Sequence, residues 1–131
     1  MAETIPASVH DLFEKPILAH LATIMSDGTP QVTPVWVDYD GNYILINTSQ
    51  DRQKTLNMKR QPKVGLDMVD AANPQHWLSV RGKVVEITEE GALEHIHKLS
   101  KKYTGNDKYG FLRPGEVRVI CKIATDRVIA Q

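Results

Sequence analysis

Hydroxyl-bearing and basic side chains cluster where a predicted strand gives way to a predicted helix. Residues 47–62 read Asn-Thr-Ser-Gln-Asp-Arg-Gln-Lys-Thr-Leu-Asn-Met-Lys-Arg-Gln-Pro. Residues 43–48 have a strand pattern, and a short basic helix is predicted from about 51 to 60 behind a polar cap. Free backbone N–H groups at a helix start, together with Arg52 and Lys54, predict a binding site for an anion such as phosphate. An ordinary N-capped surface helix with solvated charges is the alternative interpretation.

The other chemistry-bearing residues do not form a recognisable catalytic or metal pattern. His95 and His97 form an H-x-H pair, but residues two apart on a helix point about 200° apart around its axis. With no other His or Cys at ligand spacing, we predict no metal site. The sequence contains no G-x-S-x-G motif, so hydrolase chemistry has no support. Cys121 lies in an alternating strand pattern and is predicted to be a small core residue rather than a nucleophile.

Length and charge restrict the class of protein. The chain of 131 residues fits one domain spanning residues 1–131. Its 16 basic residues balance 16 acidic ones, so the net field favours neither nucleic acid nor an anionic membrane. The N-terminal residues do not resemble a signal peptide, and no apolar run reaches the roughly 18 residues of a membrane span. We therefore expect a soluble, cytoplasmic protein.

Most of the predicted elements are strands. Alternating patterns predict strands at residues 17–25, 32–39, 43–48, 63–69, 76–87, 116–123 and 127–130. Ser26-Asp27-Gly28 and Asp40-Gly41 are hairpin signals, which make the first three strands a meander. Gly82 is the expected bend in the long fifth strand. Six or seven strands of this kind predict a small, mostly antiparallel barrel, not a parallel sheet with the dinucleotide fingerprint.

Two further helices and one loop complete the prediction. Ser8 is expected to cap a short helix that ends at Phe13, and Thr88 a longer one. The apolar face of the longer helix is predicted to hold Ala92, Leu93, Ile96, Leu99 and Tyr103. The Gly- and Pro-containing loop at 104–115, with Tyr109 and Arg113, either covers a ligand or only joins helix to strand. Trp77 is read either as a core or dimer contact or as a wall for a flat ring system.

The order of several short motifs resembles a known family, the flavin and deazaflavin oxidoreductases with the split β-barrel of pyridoxamine 5′-phosphate oxidase. The resemblance covers nearly the whole chain and depends on order and spacing, since no single motif is diagnostic. The motifs are Leu21-Ala22-Thr23-Ile24, Asp27-Gly28-x-Pro30-Gln31, Pro34-Val35-Trp36-Val37, Asp40-Gly41, Ile46-Asn47-Thr48, Lys54-Thr55-x-Asn57-Met58-x-Arg60-x-Pro62, and Trp77 through Gly82-Lys83-Val84. The compact length and the K-T-x-N-x-x-R-x-P form are most similar to the small branch that uses coenzyme F420, a 5-deazaflavin.

The resemblance implies a fold and a set of site residues. The fold would be an FMN-binding-like, antiparallel split β-barrel with two or three short helices, and two subunits would pack barrel to barrel as a homodimer with each cofactor in a groove between them. The cofactor phosphate would be held by Thr48, Ser49, Arg52, Lys54 and Thr55, with support from Asn57 and Arg60. The backbone around Pro34, Val35 and Trp36 would lie along the ring. The partner subunit would contribute Asn73, Gln75, His76 and Trp77.

The implied activity is that of a reductase. Reduced F420 would give a hydride to an unsaturated or conjugated small molecule such as an enone, quinone or lactone, and no side chain would need to form a covalent intermediate. FMN in the same groove is the enzyme alternative, because both cofactors combine a tricyclic ring, a ribityl chain and a phosphate. A polyglutamate tail, which only F420 has, needs a basic exit for which Lys59, Arg60 and Lys63 are candidates. A non-catalytic cofactor-binding protein and a dimer without ligand are the remaining alternatives.

One activity of the family is not expected. Pyridoxamine phosphate oxidases proper carry an arginine-rich flavin phosphate motif and C-terminal substrate-binding residues, and neither occurs in this sequence.

Overall fold

The computed structural model describes residues 2–131, which form seven strands and three α-helices. A 3-10 turn at Ala7–Val9 comes first. The elements that follow are α1 (Asp11–Glu14), β1 (Ala19–Ile24), β2 (Pro30–Val35), β3 (Val37–Tyr39), β4 (Ile44–Ser49), α2 (Gln53–Arg60), β5 (Lys63–Val69), β6 (Trp77–Thr88), α3 (Ala92–Thr104) and β7 (Arg118–Ala130). No helix in this part of the chain has the length and apolar character needed to cross a membrane.

All seven strands belong to one antiparallel sheet that curls on itself. The strand order is β2-β1-β5-β6-β7-β4-β3, and every neighbouring pair is antiparallel. The two edge strands, β2 and β3, are consecutive in the chain and are separated only by Trp36. The sheet therefore curls so that one bent segment joins its two edges, which confirms the predicted mostly β, split-barrel fold.

Two strand predictions need correction. The single strand predicted at 32–39 is broken at Trp36, because its first half pairs with β1 and its second half with β4. The two strands predicted at 116–123 and 127–130 are one strand, β7. It pairs with β6 over almost its whole length. The pairing continues through two register shifts, between Arg81 and Gly82 and between Val84 and Glu86 of β6.

Gly82 lies at one of these register shifts, where a bend was predicted. A Cβ atom at this position would overlap the carbonyl oxygen of Ala124 on β7. Glycine is therefore required here by the close approach of a neighbouring backbone.

The helix starts also differ from the prediction. Ser8 makes no side-chain cap, since the first helical turn begins after Pro6. The Thr88 hydroxyl accepts a hydrogen bond from the Glu90 N–H in the preceding turn, and α3 begins only after Gly91, whose φ is 74°. Leu93 was predicted on the buried face of α3, but 52% of its surface is exposed. Of the other predicted positions of that face, Ala92, Ile96 and Leu99 are buried and Tyr103 is half-buried.

The core fills the inside of the barrel and continues under the N-terminal turn. Its members are apolar side chains from all parts of the sheet, among them Leu21, Val37, Ile46 and Leu78, with Leu12 closing one end. Cys121 is fully buried among them, and burial raises the pKa of its thiol to about 12. The predicted core role of this cysteine is confirmed, because such a thiol stays protonated and inert at neutral pH.

Candidate functional site

A pocket opens where the barrel is split. Strand β3 pairs with β4 only as far as Ile46, so within residues 2–131 the remainder of β4 has a strand partner on one side alone. A cavity of about 310 Å³ lies beside this free edge. It is lined by Leu18, Pro34, Val35, Trp36, Asn47, Thr48, Arg52, Lys54, Ile96, Tyr109, Phe111 and Arg118.

Six of the site residues predicted from the sequence meet in this pocket. Two chain segments bring them together, the bend between β2 and β3 and the connection from β4 to α2. They are Pro34, Val35, Trp36, Thr48, Arg52 and Lys54. The segment expected to bind a phosphate and the segment expected to lie along a ring therefore line the same cavity.

The positive charges of Arg52 and Lys54 in the pocket are not neutralised by the protein. Among the residues that the structure describes, no carboxylate lies within ion-pair distance of the Arg52 or Lys54 nitrogens. Burial lowers the pKa of Lys54, and the nearby cations Arg52 and Arg118 lower it further. A half-buried, unpaired cation is unfavourable, so an anionic ligand would be stabilised at this position.

The start of α2 departs from the predicted polar cap. Arg52 occupies the N-cap position in an extended conformation, and no side chain caps the helix. The interpretation of this segment as an ordinary N-capped surface helix therefore loses its main support. An uncapped helix start retains backbone donors and the positive end of the helix dipole for a ligand.

Four predicted site residues lie behind the pocket wall and anchor α2. The hydroxyl of Thr55 donates to the carbonyl oxygen of Ser49 at 2.7 Å, and the Ser49 hydroxyl in turn donates to Asp51 at 2.7 Å. The Asn57 amide donates to the hydroxyl of Thr23 on β1 at 3.0 Å. Arg60 donates to the carbonyl oxygen of Ile24 and to Asn57. These side chains hold the helix against β1 and β4 and are engaged by the protein itself.

The opposite wall of the pocket is aromatic. The indole of Trp36 stacks on Tyr103 with ring centroids 5.2 Å apart and planes 2° from parallel. The hydroxyl of Tyr103 donates to the carbonyl oxygen of Ile17 at 2.6 Å and accepts the N–H of Val37 at 3.1 Å. Burial raises the pKa of Tyr103 to about 12, so the ring remains a neutral wall at physiological pH. Trp36 is thus held rigidly at the point where the edge strand breaks.

The loop at 104–115 contributes to the pocket. Tyr109 packs its ring edge-on against Trp36 at a centroid distance of 5.8 Å, and Phe111 packs against Tyr109 at 5.7 Å. Phe111 is nevertheless 74% exposed. Of the two interpretations of this loop, the geometry favours the one in which it covers a ligand, because its aromatic side chains line the cavity instead of the barrel core.

The segment 73–77 does not line this pocket within one subunit. His76 is held at the other end of the barrel, where its Nε2 meets Asp11 and its Nδ1 meets the carbonyl oxygen of Gln131, each at 2.9 Å. Both partners are acceptors, so both ring nitrogens donate, and these bonds raise the pKa of His76. Trp77 is half-buried at the start of β6. Asn73 and Gln75 lie in the exposed turn before it.

The same region contains a cluster with the composition of a metal site. The ligand atoms of Asp11, Asp70 and His76 lie within 4.8 Å of one another. Lys15 bonds to both carboxylates, at 3.1 Å to Asp11 and 3.0 Å to Asp70. The ammonium group supplies the positive charge that these carboxylates need, so the cluster is an ion network that joins α1 to the turn before β6.

Six residues that line the pocket were not among the site residues predicted from the sequence. Arg118 at the start of β7 is the most informative, because it is charged and only 8% exposed. The available signal was an arginine between Val117 and Val119 at the start of a predicted strand. Leu18, Asn47, Ile96, Tyr109 and Phe111 complete the lining. Asn47, in the 47–62 segment, and Tyr109, in the 104–115 loop, were named from the sequence, but neither was assigned to the site.

Comparisons with known proteins agree with this architecture. A family model described as pyridoxamine 5′-phosphate oxidase matches residues 5–130. A solved structure named as an F420 reductase is 32% identical, with a TM-score of 0.84, and the match covers 97% of this chain and 100% of that one. No curated protein matches the chain.

Two further solved structures show the same fold at lower identity. A conserved hypothetical protein from Mycobacterium tuberculosis is 26% identical, with a TM-score of 0.72, and the match covers 97% of this chain and 84% of that one. HupZ from Group A Streptococcus is 23% identical, with a TM-score of 0.68 and coverage of 96% and 93%.

Proposed function

The chain belongs to the pyridoxamine 5′-phosphate oxidase family, and from this premise we propose that it is a reductase dependent on coenzyme F420. The observation that carries the proposal is the pocket, in which unpaired cations at the start of α2 face a rigid aromatic wall around Trp36. The similarity to an F420 reductase over the full chain supports the same cofactor. The substrate class that we propose is an unsaturated or conjugated small molecule.

The residues of the pocket fit a phosphate-bearing ring cofactor. Arg52 and Lys54 would hold the phosphate, and Thr48 beside them offers a hydroxyl donor. The segment Pro34-Val35-Trp36 would lie along the ring. When bound, the reduced deazaflavin supplies the hydride. The chain's own part is to bind and orient the cofactor and to exclude water with the aromatic side chains of the 104–115 loop.

We also propose that the working unit is a homodimer. Apolar side chains lie exposed on the outer face of the sheet, including Val32 at 61%, Ile129 at 56% and Val69 at 36% exposure. Trp77 belongs to the same outer face, since it pairs with Val69 across β5 and β6. A second copy packed on this face would cover these side chains and could bring its residues 73–77 to the pocket of the first.

FMN remains a second candidate because of one specific observation. None of the basic residues expected to line an exit for a polyglutamate tail, Lys59, Arg60 and Lys63, lines the pocket. Arg60 is occupied by the carbonyl oxygen of Ile24 and by Asn57. FMN has a phosphate but no tail, so it would not require such an exit.

A fluorescence titration of the cofactor-free protein with F420 and with FMN tests the proposal. Much tighter binding of F420, followed by turnover of conjugated acceptors with reduced F420, is the expected result. A preference for FMN would move the function to a flavin-dependent oxidoreductase and keep the same pocket. Failure to bind either cofactor would refute a cofactor-dependent activity. Sedimentation of the free and bound protein would test the homodimer.

A further inference from the structure

Arg118 is a buried arginine whose donors are only partly used by the protein. Its Nε donates to the side-chain oxygen of Asn47 at 3.0 Å, and its Nη1 donates to Glu116 at 2.7 Å. The ring of Tyr109 lies over the guanidinium, with its centroid 5.2 Å from Cζ. A guanidinium has five N–H donors, so three of them are not accounted for by these contacts.

Two of the remaining donors, those on Nη2, are not enclosed by the protein. Among residues 2–131, Nη2 of Arg118 has no hydrogen-bond partner, and no fully buried side-chain nitrogen or oxygen lacks one. Nη2 is therefore not enclosed by protein, although the side chain as a whole is only 7% exposed. Since Arg118 lines the cavity, this accessible edge of its guanidinium opens toward it.

Asn47 fixes the orientation of this guanidinium. Its amide nitrogen donates to the carbonyl oxygen of Ala92 at 2.8 Å and approaches Nδ1 of His95 at 3.1 Å. The amide oxygen is consequently directed at Nε of Arg118. His95 is held in turn, because its Nε2 lies 3.1 Å from a carboxylate oxygen of Asp38. Arg118 is thus preorganised by a buried hydrogen-bond chain before any ligand arrives.

We propose that Arg118 is a third phosphate-binding cation of the pocket, acting with Arg52 and Lys54, and that Asn47 is its positioning residue. The inference rests on the proposed function and assigns a further residue to the same site. Arg118 is close enough to Lys54 to contribute to the lowering of that residue's pKa, so both cations act on the same volume. Glu116 neutralises one edge of the guanidinium and leaves the other for the ligand, while Arg52 and Lys54 add two uncompensated charges.

Paired ligands that differ only beyond the ribityl chain give the direct test. We compare F420 with the ribityl deazaflavin that lacks its phosphate and tail, and FMN with riboflavin. Arg118→Gln should weaken binding of the phosphate-bearing member by about 10- to 100-fold and leave the phosphate-free member unchanged. Arg118→Lys, which retains the charge but not the paired N–H donors of the planar guanidinium, should recover part of that loss.

Arg113→Gln is the matched control. Arg113 also contacts Glu116, but it is 55% exposed and does not line the pocket. Its substitution removes the same charge from the same neighbourhood and should change affinity by less than about threefold, because an exposed charge is screened by solvent. An equal loss in Arg113→Gln would show a general field effect and overturn the proposal.

Other outcomes separate this inference from the proposed cofactor. Equal loss of phosphate-bearing and phosphate-free ligands would refute a phosphate contact by Arg118. If Arg118→Gln does not fold, Arg118→Lys carries the same comparison, and an affinity identical to wild type overturns the proposal.

If the wild type binds neither cofactor, the proposed function fails. A titration with pyrophosphate, followed by tryptophan fluorescence, then tests Arg118 alone: saturation lost in the variant supports the site, and saturation unchanged or absent refutes it.

Discussion

Replacing Lys54 with methionine should change ligand affinity and the stability of the unliganded fold in opposite directions. The ammonium group is half-buried and has no carboxylate partner within residues 2–131, and burial followed by the charges of Arg52 and Arg118 lowers its pKa. A cation in that position destabilises the folded protein without ligand and stabilises its complex with an anionic ligand. Methionine keeps the length and apolar stem of lysine and removes only the charge and its donors.

The expected magnitudes follow from these surroundings. Loss of one charge-assisted hydrogen bond should cost about 1.5 to 3 kcal/mol of cofactor binding, or about 10- to 100-fold in Kd, and not more, because two arginines remain in the pocket. The folded-state pKa of Lys54 lies below its unfolded value, so its destabilising effect is fully present at pH 7 and fades as pH rises through the folded pKa. Because solvent screens a half-exposed charge, the gain in free energy of unfolding should stay within about 1 kcal/mol.

Two measurements at pH 7 check this pair of effects. Fluorescence titration gives the affinity, and urea unfolding without ligand gives the stability. Lys59→Met is the control, since Lys59 lies on the same helix, is exposed and does not line the pocket. It should alter neither quantity appreciably. A Lys54→Met protein that is less stable than wild type and binds the cofactor equally well would refute the assignment of Lys54 to an unpaired anion site.

Three more predictions follow from single contacts. Tyr103→Phe should cost about 1 to 3 kcal/mol in urea unfolding, because Ile17 and Val37 lose their partner, whereas Tyr43→Phe should cost little. Gly82→Ala should destabilise by about 1 to 3 kcal/mol or more through overlap with Ala124, whereas Gly65→Ala meets only an ordinary contact at 3.6 Å. Cofactor affinity should fall with rising pH, beginning below the ordinary lysine pKa, and Lys54→Arg should remove this dependence in titrations from pH 7 to 10. An unfolding free energy equal to wild type in Tyr103→Phe or Gly82→Ala, or an unchanged pH dependence in Lys54→Arg, would contradict the contact from which that prediction comes.

Local patterns predicted the parts of the fold that depend on neighbours in sequence. The strand Lys63–Val69 and the end of α2 before Pro62 agree with the sequence, because alternation and proline act within a few residues. That Arg52 and Lys54 lie together in the pocket was predictable for the same reason, since both lie at one helix start. Helix caps were less predictable, because the Thr88 hydroxyl accepts the N–H of Glu90 in the turn before α3 and not an N–H of the helix.

Contacts between distant elements explain what the sequence could not predict. Arg118 reaches the pocket only because β7 pairs with β4 in the register that places Ser49 opposite it. Likewise, nothing local to residues 32–39 requires a break at Trp36, because the break arises from the two halves pairing with different strands. The proposed role of segment 73–77, with Asn73, Gln75, His76 and Trp77, involves the pocket of a second subunit. Local sequence patterns within one chain do not determine how two subunits pack.

The break in the edge strand is held open by side chains of α3. Lys102 donates to the carbonyl oxygens of Phe13 and Val37 at 2.7 and 2.6 Å, and Tyr103 accepts the Val37 N–H on the other side of the same residue. Burial lowers the pKa of Lys102 to about 8, but the amine can still donate when neutral. Because Val37 is bound through both its N–H and its C=O, β3 cannot extend back through Trp36 to cover the free edge of β4. The edge of β4 beside the pocket therefore stays uncovered by β3, and a ligand need not supply the free energy to displace that strand.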